Sequence, residues 1–480
     1  MSGPASNAHS AGELIAVRRI DDLTTPVAAY LALAGSSKNA CLLESVEGGS
    51  YRGRFSAIAL DPDISWIVED GAANREDPAT GQRHAETADP ITSLKSLIAE
   101  SRLELGDGVP SIAAGLFGYI GYDLIRAIET LPDTQAPDPA GIPAARLMRP
   151  RTVVVFDALK QEITAYGRAK RSEDPAQVET RLRALLDRLD SPPPRNEPGL
   201  PEKVAPVSAF DPDDFRDSVR RVQDHIRAGD IFQGVLSQRF STEFNLPPFA
   251  FYRALRRLNP SPFLFHFQFD GYAVTGSSPE ILVRLRDGVV TVRPIAGTRP
   301  RGASPAEDAE LEKDLLADPK ERAEHMMLLD LGRNDVGRVA APGTIRITER
   351  EIVERYSHVM HIVSNVEGDI APGGDAVSAL FAGFPAGTVS GAPKVRAMQI
   401  LDEIEPHRRG LYAGAAGYFS ADGNMDMAIA LRTALLKDGQ MHVQAGAGIV
   451  LDSDPEAELQ ECHNKARALF RAAEQAHRFV

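Results

Sequence analysis

The sequence predicts an α+β fold, because strand patterns and helix patterns are mixed without the regular strand–helix alternation of a parallel α/β sheet. Asp270-Gly271 and Asp287-Gly288 each separate two strand-like runs, and Asp-Gly is typical of tight hairpin turns. The chain has 480 residues, of which 43% are hydrophobic, so it can bury a large core.

The elements of the first half are short and punctuated by glycine. In chain order, we predict a strand entering a glycine turn at residues 41–49, a glycine-punctuated segment at 115–122, a buried strand at 151–156 and a helix at 178–189. Residues 190–201 are rich in proline, which breaks both regular structures and predicts a linker. We therefore divide the chain into an N-terminal domain (13–190), a linker (191–210) and a C-terminal domain (211–480).

The second half opens with a clearly marked helix. Asp211 can cap its N-terminus, Pro212 suits its first turn and Gly229 ends it. Its apolar face comprises Phe215, Val219, Val222 and Ile226. Strands are predicted at 231–242, 263–269, 272–275, 281–285, 289–292, 413–420, 427–436 and 441–450. Further helices are predicted at 305–331, 376–384, 393–404 and 455–476.

The composition of the chain limits which partners it can bind and which compartment it suits. The net charge of −14 argues against a nucleic-acid or anionic-membrane partner. Cys41 and Cys462 have no paired spacing, which excludes a disulfide framework and suits a reducing cytosol. We find neither a signal-peptide pattern nor an apolar run of membrane-spanning length, and we expect a cytoplasmic protein.

Five segments of the second half combine glycine with charged side chains. They are residues 293–301, 324–335, 356–361, 390–396 and 445–448. Glycine lets the backbone approach a ligand closely, and the charges suit a small anion and its metal. We predict one site assembled from these segments.

Glu324 and Glu461 are candidate metal ligands, since hard cations bind carboxylate oxygens. Either residue could instead be a solvated helix carboxylate, and Glu461 lies four residues before Lys465, an ordinary ion-pair spacing. Proximity of both carboxylates to one anion site would distinguish the two interpretations.

His361 is the candidate acid/base residue, because imidazole titrates near neutral pH. It lies in the apolar run 359–363, so a buried structural histidine is the alternative. Glu354, His358 and His361 do not make a convincing zinc site, which needs more ligands and a clearer helix.

Two cationic positions could bind a carboxylate. Residues 387–394 lack the spacing of a P-loop and the Ser or Thr that would follow Lys394, which excludes that kind of nucleotide site. The helix start at Pro393 can still offer backbone N–H groups to an anion. Arg432 alternates with apolar residues in a predicted strand, where its partner is either a ligand carboxylate or solvent.

These segments, in this order, resemble those of the chorismate-utilising enzymes and are most similar to the anthranilate synthase large subunits within that family. The similarity covers nearly all of residues 35–475 and includes Leu42-Leu-Glu-Ser45, Gly229-Asp-Ile-Phe-Gln233 and Asn259-Pro-Ser-Pro-Phe263. The resemblance implies a two-sheet antiparallel β-sandwich flanked by helices. It also implies chorismate and Mg²⁺ bound in the second half.

Residue roles follow from the same resemblance. It implies that Glu324 and Glu461 bind Mg²⁺ and that His361 and Thr388 are catalytic. The implied chorismate contacts are Gly297, Thr298, Tyr412, Arg432, Gly446, Gly448 and Lys465. The implied tryptophan pocket is lined by Glu44, Ser45, Pro262, Phe263 and Leu264.

The activity implied by the resemblance is Mg²⁺-dependent conversion of chorismate and ammonia to anthranilate and pyruvate in tryptophan biosynthesis, with feedback inhibition by tryptophan. Ammonia would add at ring C2 as the C4 hydroxyl leaves, and loss of the C2 proton with pyruvate would restore aromaticity. Neither cysteine lies in a Gly-x-Cys-x-Gly nucleophile turn. We therefore expect a separate glutamine amidotransferase subunit to supply the ammonia.

Related functions remain as alternatives. Aminodeoxychorismate synthases often carry a nucleophilic lysine where this chain has Ala296. Salicylate and isochorismate synthases add water instead of ammonia, and the pattern here does not favour them. A non-catalytic tryptophan-binding subunit would be expected to have lost the carboxylates and the histidine, which this chain retains.

Overall fold

Two antiparallel β-layers packed face to face form the centre of this computed structural model. It describes residues 12–45, 53–132, 136–138, 140–170, 172–191, 199, 203–356 and 359–480. The described residues form 22 strands and ten α-helices.

The strands are β1 (Leu14–Ile20), β2 (Ala40–Glu44), β3 (Phe55–Glu69), β4 (Ala72–Glu76), β5 (Arg83–Ala85), β6 (Gly115–Ile120), β7 (Ala145–Asp157), β8 (Glu162–Arg168), β9 (Val207–Ser208), β10 (Gln233–Glu243), β11 (Phe263–Phe269), β12 (Tyr272–Ser278), β13 (Ile281–Arg286), β14 (Val289–Val292), β15 (Ile295–Pro300), β16 (Arg346–Arg355), β17 (Val359–Asp369), β18 (Gly391–Ala392), β19 (Ala415–Ser420), β20 (Met425–Ile429), β21 (Thr433–Lys437) and β22 (Gln440–Ile449). The helices are α1 (Pro26–Ala34), α2 (Pro90–Glu100), α3 (Pro175–Asp187), α4 (Pro212–Arg227), α5 (Pro248–Leu258), α6 (Pro305–Ala317), α7 (Pro319–Gly337), α8 (Ala376–Gly383), α9 (Lys394–Ile404) and α10 (Pro455–Gln475).

The strands make one hydrogen-bonded network that folds into the two layers. The first layer has the order β1–β8–β7–β3–β2–β11–β12–β21–β22–β10. The second has the order β5–β4–β3–β7–β6–β19–β20–β13–β14–β17–β16. The long strands β3 and β7 belong to both layers, and their register shifts between Pro62 and Ile64.

Apolar side chains fill the space between the layers and beneath the helices. Phe117 and Tyr418 of the second layer pack in one buried cluster with Phe265 and Phe267 of the first. Helices α4, α5, α9 and α10 share a second cluster with β10 and β22. Helices α2 and α8 share a third with the second layer. The predicted α+β sandwich flanked by helices is therefore confirmed.

The structure confirms the helix predicted after Asp211. The Asp211 side chain caps α4 by accepting a hydrogen bond from the Asp213 N–H at 2.8 Å. The prediction of one helix over 305–331 was wrong. Asp318 ends α6 and caps α7, its side chain accepting the Lys320 N–H at 2.9 Å, and Pro319 opens the second helix. No helix in the described ranges is long and apolar enough to cross a membrane.

The predicted domains are joined by strand pairing. β2 pairs with β11 and β6 pairs with β19, so backbone hydrogen bonds connect residues from both sides of the predicted boundary. Within the predicted linker 191–210, residues 192–198 and 200–202 lie outside the described residues. The domain division stays a prediction.

Candidate active site

Glu324 of α7 lies beside the first residue of β10. The Gln233 amide nitrogen donates to Glu324 Oε1 at 3.4 Å, and the same nitrogen would lie 2.8 Å from a Cβ placed on Gly448. A side chain at position 448 would therefore displace the Gln233 amide that contacts Glu324. Burial raises the pKa of Glu324, the Gln233 hydrogen bond opposes this shift, and the negative charges of Glu321 and Glu461 add to it.

Glu461 and Lys465 of α10 meet the glycine-rich end of β22. Lys465 Nζ forms an ion pair with Glu461 at 2.7 Å, as the four-residue spacing predicted, and donates to the Gly446 carbonyl at 2.8 Å. A Cβ on Gly446 would lie 2.8 Å from the Tyr412 hydroxyl. The strand thus passes close to a buried tyrosine and an exposed ammonium group.

Two further carboxylates accompany this pair. Glu321 precedes Glu324 by one helical turn, and Glu458 precedes Glu461 by the same spacing. Burial raises the pKa of Glu458, and the charge of Glu461 contributes to the shift. The sequence analysis missed both residues, although the three-residue spacing could have indicated them.

The carboxylates of α7 and α10 fit a hard divalent cation, whose charge would relieve their mutual repulsion. Among the described residues, no three His, Cys, Asp or Glu side chains form a ready-made cage for a metal ion. Mg²⁺ does not require such a cage, because it commonly binds one or two carboxylates and completes its shell with water and substrate oxygens.

His361 of β17 faces β15. Its Nδ1 lies 3.0 Å from the Gly297 carbonyl oxygen and 3.1 Å from Thr298 Oγ1. A carbonyl only accepts, so Nδ1 carries the hydrogen and Nε2 of the neutral ring is the proton acceptor. Burial lowers the pKa of His361, and Arg432 adds to the effect, while the Gly297 hydrogen bond and Glu354 oppose it.

Gly297 connects the histidine to the carboxylates. Its φ is +68°, and a Cβ there would lie 3.2 Å from Ile362 Cδ1 and 3.3 Å from Glu321 Oε2. The position needs glycine both for its backbone angle and for its surroundings. The chain bulges between Ala296 and Thr298, which brings Thr298 opposite His361.

Glu280 follows β12 and is a buried acid that the sequence analysis missed. Thr388 Oγ1 donates to Glu280 Oε1 at 3.2 Å, and Arg432 interacts with the carboxyl electrostatically. Burial raises the pKa of Glu280 to about 8, and Thr388 and Arg432 offset it only in part. No sequence motif singled out Glu280, because its burial is a tertiary effect.

Arg432 departs from the strand that the sequence predicted at 427–436. The structure has two strands there, β20 and β21, and Arg432 lies between them with a φ of +47°. The Ser277 N–H donates to the Arg432 carbonyl at 3.1 Å and fixes this bend. Arg432 thereby interacts with both Glu280 and His361.

The residues of the predicted tryptophan pocket lie at the β2–β11 pair. Leu264 is directly opposite Glu44, which brings Ser45, Pro262 and Phe263 to the same end of the two strands. The Glu44 carboxylate is already engaged within the chain. It accepts from the Tyr252 hydroxyl at 2.5 Å, and it accepts from Arg256 Nε at 2.8 Å.

Comparison with known proteins identifies one family whose sequence profile matches this chain. The family profile described as "chorismate binding enzyme" matches residues 39–471.

The chain belongs to the chorismate-binding enzyme family.

Members of this family resemble the chain over nearly its whole length. Anthranilate synthase component 1 of Cereibacter sphaeroides is 55% identical over 98% of this chain and 96% of its own length. The protein of the same name from Pseudomonas aeruginosa is 48% identical over 96% of this chain and 95% of its own length. The crystal structure of anthranilate synthase component I from Streptococcus pneumoniae superimposes with a TM-score of 0.79 at 39% identity, covering 94% of this chain and 98% of that chain.

In this chorismate-binding enzyme, the ammonium group of Lys394 forms an ion pair within the chain. Lys394 lies at the start of α9 and binds Asp335 at 2.7 Å, with both side chains buried. The predicted anion site at this helix start therefore has backbone N–H groups to offer rather than a free ammonium group.

Proposed function

We propose that this chain is the chorismate-converting subunit of an anthranilate synthase, which forms anthranilate and pyruvate from chorismate and ammonia. The arrangement of a neutral histidine and a protonated glutamic acid around Arg432 carries the proposal, because the reaction needs one base and one acid. The relatives' printed names support the same activity.

In the first step, ammonia adds at ring C2 while the C4 hydroxyl leaves. The C2–N bond forms, both ring double bonds shift by one position and the C4–O bond breaks, and the added nitrogen then loses a proton to solvent to become the amine. Protonated Glu280 donates its proton to the departing hydroxyl, which leaves as water. Thr388 orients this acid through its hydrogen bond of 3.2 Å.

In the second step, His361 Nε2 removes the C2 proton. The C3–O bond breaks, the enolpyruvyl group leaves and is released as pyruvate after protonation, and the ring becomes aromatic. The hydrogen bond from Nδ1 to Gly297 keeps Nε2 unprotonated and ready to accept.

The carboxylates of chorismate have cationic partners in this site. Arg432 and Lys465 can each pair with one of them. Glu324 and Glu461 would hold Mg²⁺, which supplies positive charge to the ring carboxylate and polarises the ring. Gly297, Gly446 and Gly448 let neighbouring side chains of the site approach the backbone closely.

We propose that a separate glutamine amidotransferase supplies the ammonia. Burial raises the pKa values of Cys41 and Cys462 to about 12, so neither thiol is a nucleophile at neutral pH. Two free buried thiols also fit the cytoplasmic location that we propose.

We further propose that tryptophan binds at the β2–β11 pair and inhibits the enzyme. Pro262, Phe263 and Leu264 supply apolar surface for an indole ring, and Ser45 supplies a hydroxyl. Because Glu44 is bound to Arg256 and Tyr252, an arriving ammonium group would share this carboxylate with them.

Product analysis tests the proposed activity. The purified chain, incubated with chorismate, ammonium and Mg²⁺, is expected to form fluorescent anthranilate. Glu324→Gln should abolish turnover, whereas Glu403→Gln, at an exposed position on α9, should not. Accumulation of non-aromatic aminodeoxychorismate as the end product would instead support the alternative function. Ala296 makes that outcome unexpected, because it offers no amine.

A further inference from the structure

Tyr356 lies directly against the candidate base. Its ring meets the His361 imidazole edge-on, with ring centroids 5.6 Å apart at an angle of 64°. Its backbone is held on both sides: the Tyr356 N–H donates to the Val359 carbonyl at 2.8 Å, and Arg301 donates to the Tyr356 carbonyl at 2.6 Å. The backbone of Tyr356 is therefore anchored beside the imidazole.

The Tyr356 hydroxyl engages the carboxylate that lies across the sheet from the base. Glu354 of β16 is directly opposite His361 of β17. Glu354 Oε2 accepts from the Tyr356 hydroxyl at 2.9 Å, and its Oε1 accepts from Arg293 Nη2 at 2.7 Å. Arg293 is buried and binds Glu349 as well, at 2.8 Å.

We propose that Tyr356 is a positioning residue, which holds the Glu354 carboxylate together with Arg293 and braces the His361 ring so that Nε2 remains the proton acceptor. The proposal rests on the proposed role of His361 as the base. Without this arrangement, the Glu354 carboxylate would turn toward the imidazole, stabilise its protonated form and remove the base at neutral pH.

Charged groups face His361 from two sides, and a third side is uncharged. Glu354 faces it from β16 and favours the imidazolium, while Arg432 faces it from the bend between β20 and β21 and disfavours it. The β15 side contributes the Gly297 carbonyl and the Thr298 hydroxyl, which are uncharged. Burial is the largest influence and lowers the pKa of His361, while the charge of Glu354 is a smaller influence that raises it, so a change in the position of this carboxylate should shift the titration of the base.

Two conservative substitutions should move the titration of His361 in opposite directions. Tyr356→Phe keeps the ring contact but releases one oxygen of Glu354, and the pKa of His361 should rise by about 0.5 to 1. Glu354→Gln removes the charge, and the pKa should fall. Tyr166→Phe, on β8, removes a tyrosine hydroxyl elsewhere and should leave it unchanged.

The test is an NMR titration of the imidazole in histidine-labelled, substrate-free protein, with the signal assigned by His361→Met. The acid limb of the kcat profile should move in the same directions. An unchanged His361 titration in both Tyr356→Phe and Glu354→Gln would overturn the positioning role even if the enzyme makes anthranilate. Opposite shifts in an enzyme that makes another product would support it while the proposed function fails.

Discussion

Burial holds two groups of this site in their uncharged forms. It raises the pKa of the Glu280 carboxyl to about 8, so this group is mostly protonated at neutral pH. It also lowers the pKa of the His361 imidazole. The residues can therefore act as acid and base at the same neutral pH, and groups whose environments separate their roles in this way are typical of acid–base catalysis.

The pH dependence of kcat should show the titration of Glu280. The proposed mechanism requires protonated Glu280, so kcat should fall as the pH rises through about 8. Glu280→Gln should lower kcat by about 10²- to 10⁴-fold and remove that alkaline limb. The profile is measured with the concentration of uncharged ammonia held constant, and the exposed Glu403→Gln is the control. An unchanged alkaline limb in Glu280→Gln would assign it to another group.

Replacing the base should separate the two chemical steps. His361→Met should slow removal of the C2 proton more than substrate binding, so an aminated, non-aromatic intermediate should accumulate while KM changes little. Chromatography of quenched reactions detects that intermediate. Loss of cooperative unfolding in this variant would show instead that the histidine is mainly structural.

The proposed tryptophan pocket gives a prediction for the regulation of the enzyme. Ser45→Phe should fill the pocket and abolish inhibition while uninhibited turnover is kept. In the unsubstituted chain, a coupling free energy of about 1–3 kcal/mol between the tryptophan and chorismate sites would lower chorismate affinity roughly 5- to 150-fold. Chorismate should weaken tryptophan binding by the same factor. Calorimetric titration of each ligand in the presence of the other measures this. Tight tryptophan binding that leaves chorismate affinity unchanged would make the pocket structural.

At the scale of elements, the bulge of β15 places a glycine between His361 and Glu321. Gly297→Ala should cost about 1–2 kcal/mol of unfolding free energy for its positive φ and should also lower kcat/KM. Gly288→Ala is the matched control, since its φ is +79° and nothing lies within 4 Å of the added Cβ. Denaturant unfolding should show similar losses, and equal activity losses would contradict a site role for Gly297.

Local sequence patterns predicted elements where capping and periodicity agreed, as in α4. They failed where a break depended on one residue. One helix was predicted over 305–331, but Asp318 accepts the Lys320 N–H and Pro319 opens a second helix. The bend at Arg432 was hidden by the alternation around it, because its positive φ is held by a hydrogen bond from distant Ser277.

For the whole molecule, the sequence predicted the site as a set of segments but not the full set of residues. Glu324 lies near Gly448 of β22 through Gln233, and Lys465, which pairs with Glu461, donates to the Gly446 carbonyl of the same strand. Glu280 could not be found in this way, because the burial that makes it an acid comes from packing of distant elements. The sequence also could not show that the Glu44 carboxylate binds Arg256 and Tyr252, because these residues contact it only in the folded chain.

The identity of the nucleophile and its position on the ring test the account most directly. The purified chain is supplied with chorismate, Mg²⁺ and ¹⁵N-ammonium in ¹⁸O-water, and the products are analysed by mass spectrometry and NMR. We predict anthranilate with one ¹⁵N on the ring, no ¹⁸O on the ring and one pyruvate per anthranilate. An ¹⁸O-hydroxylated ring product, or ¹⁵N at C4, would contradict the account.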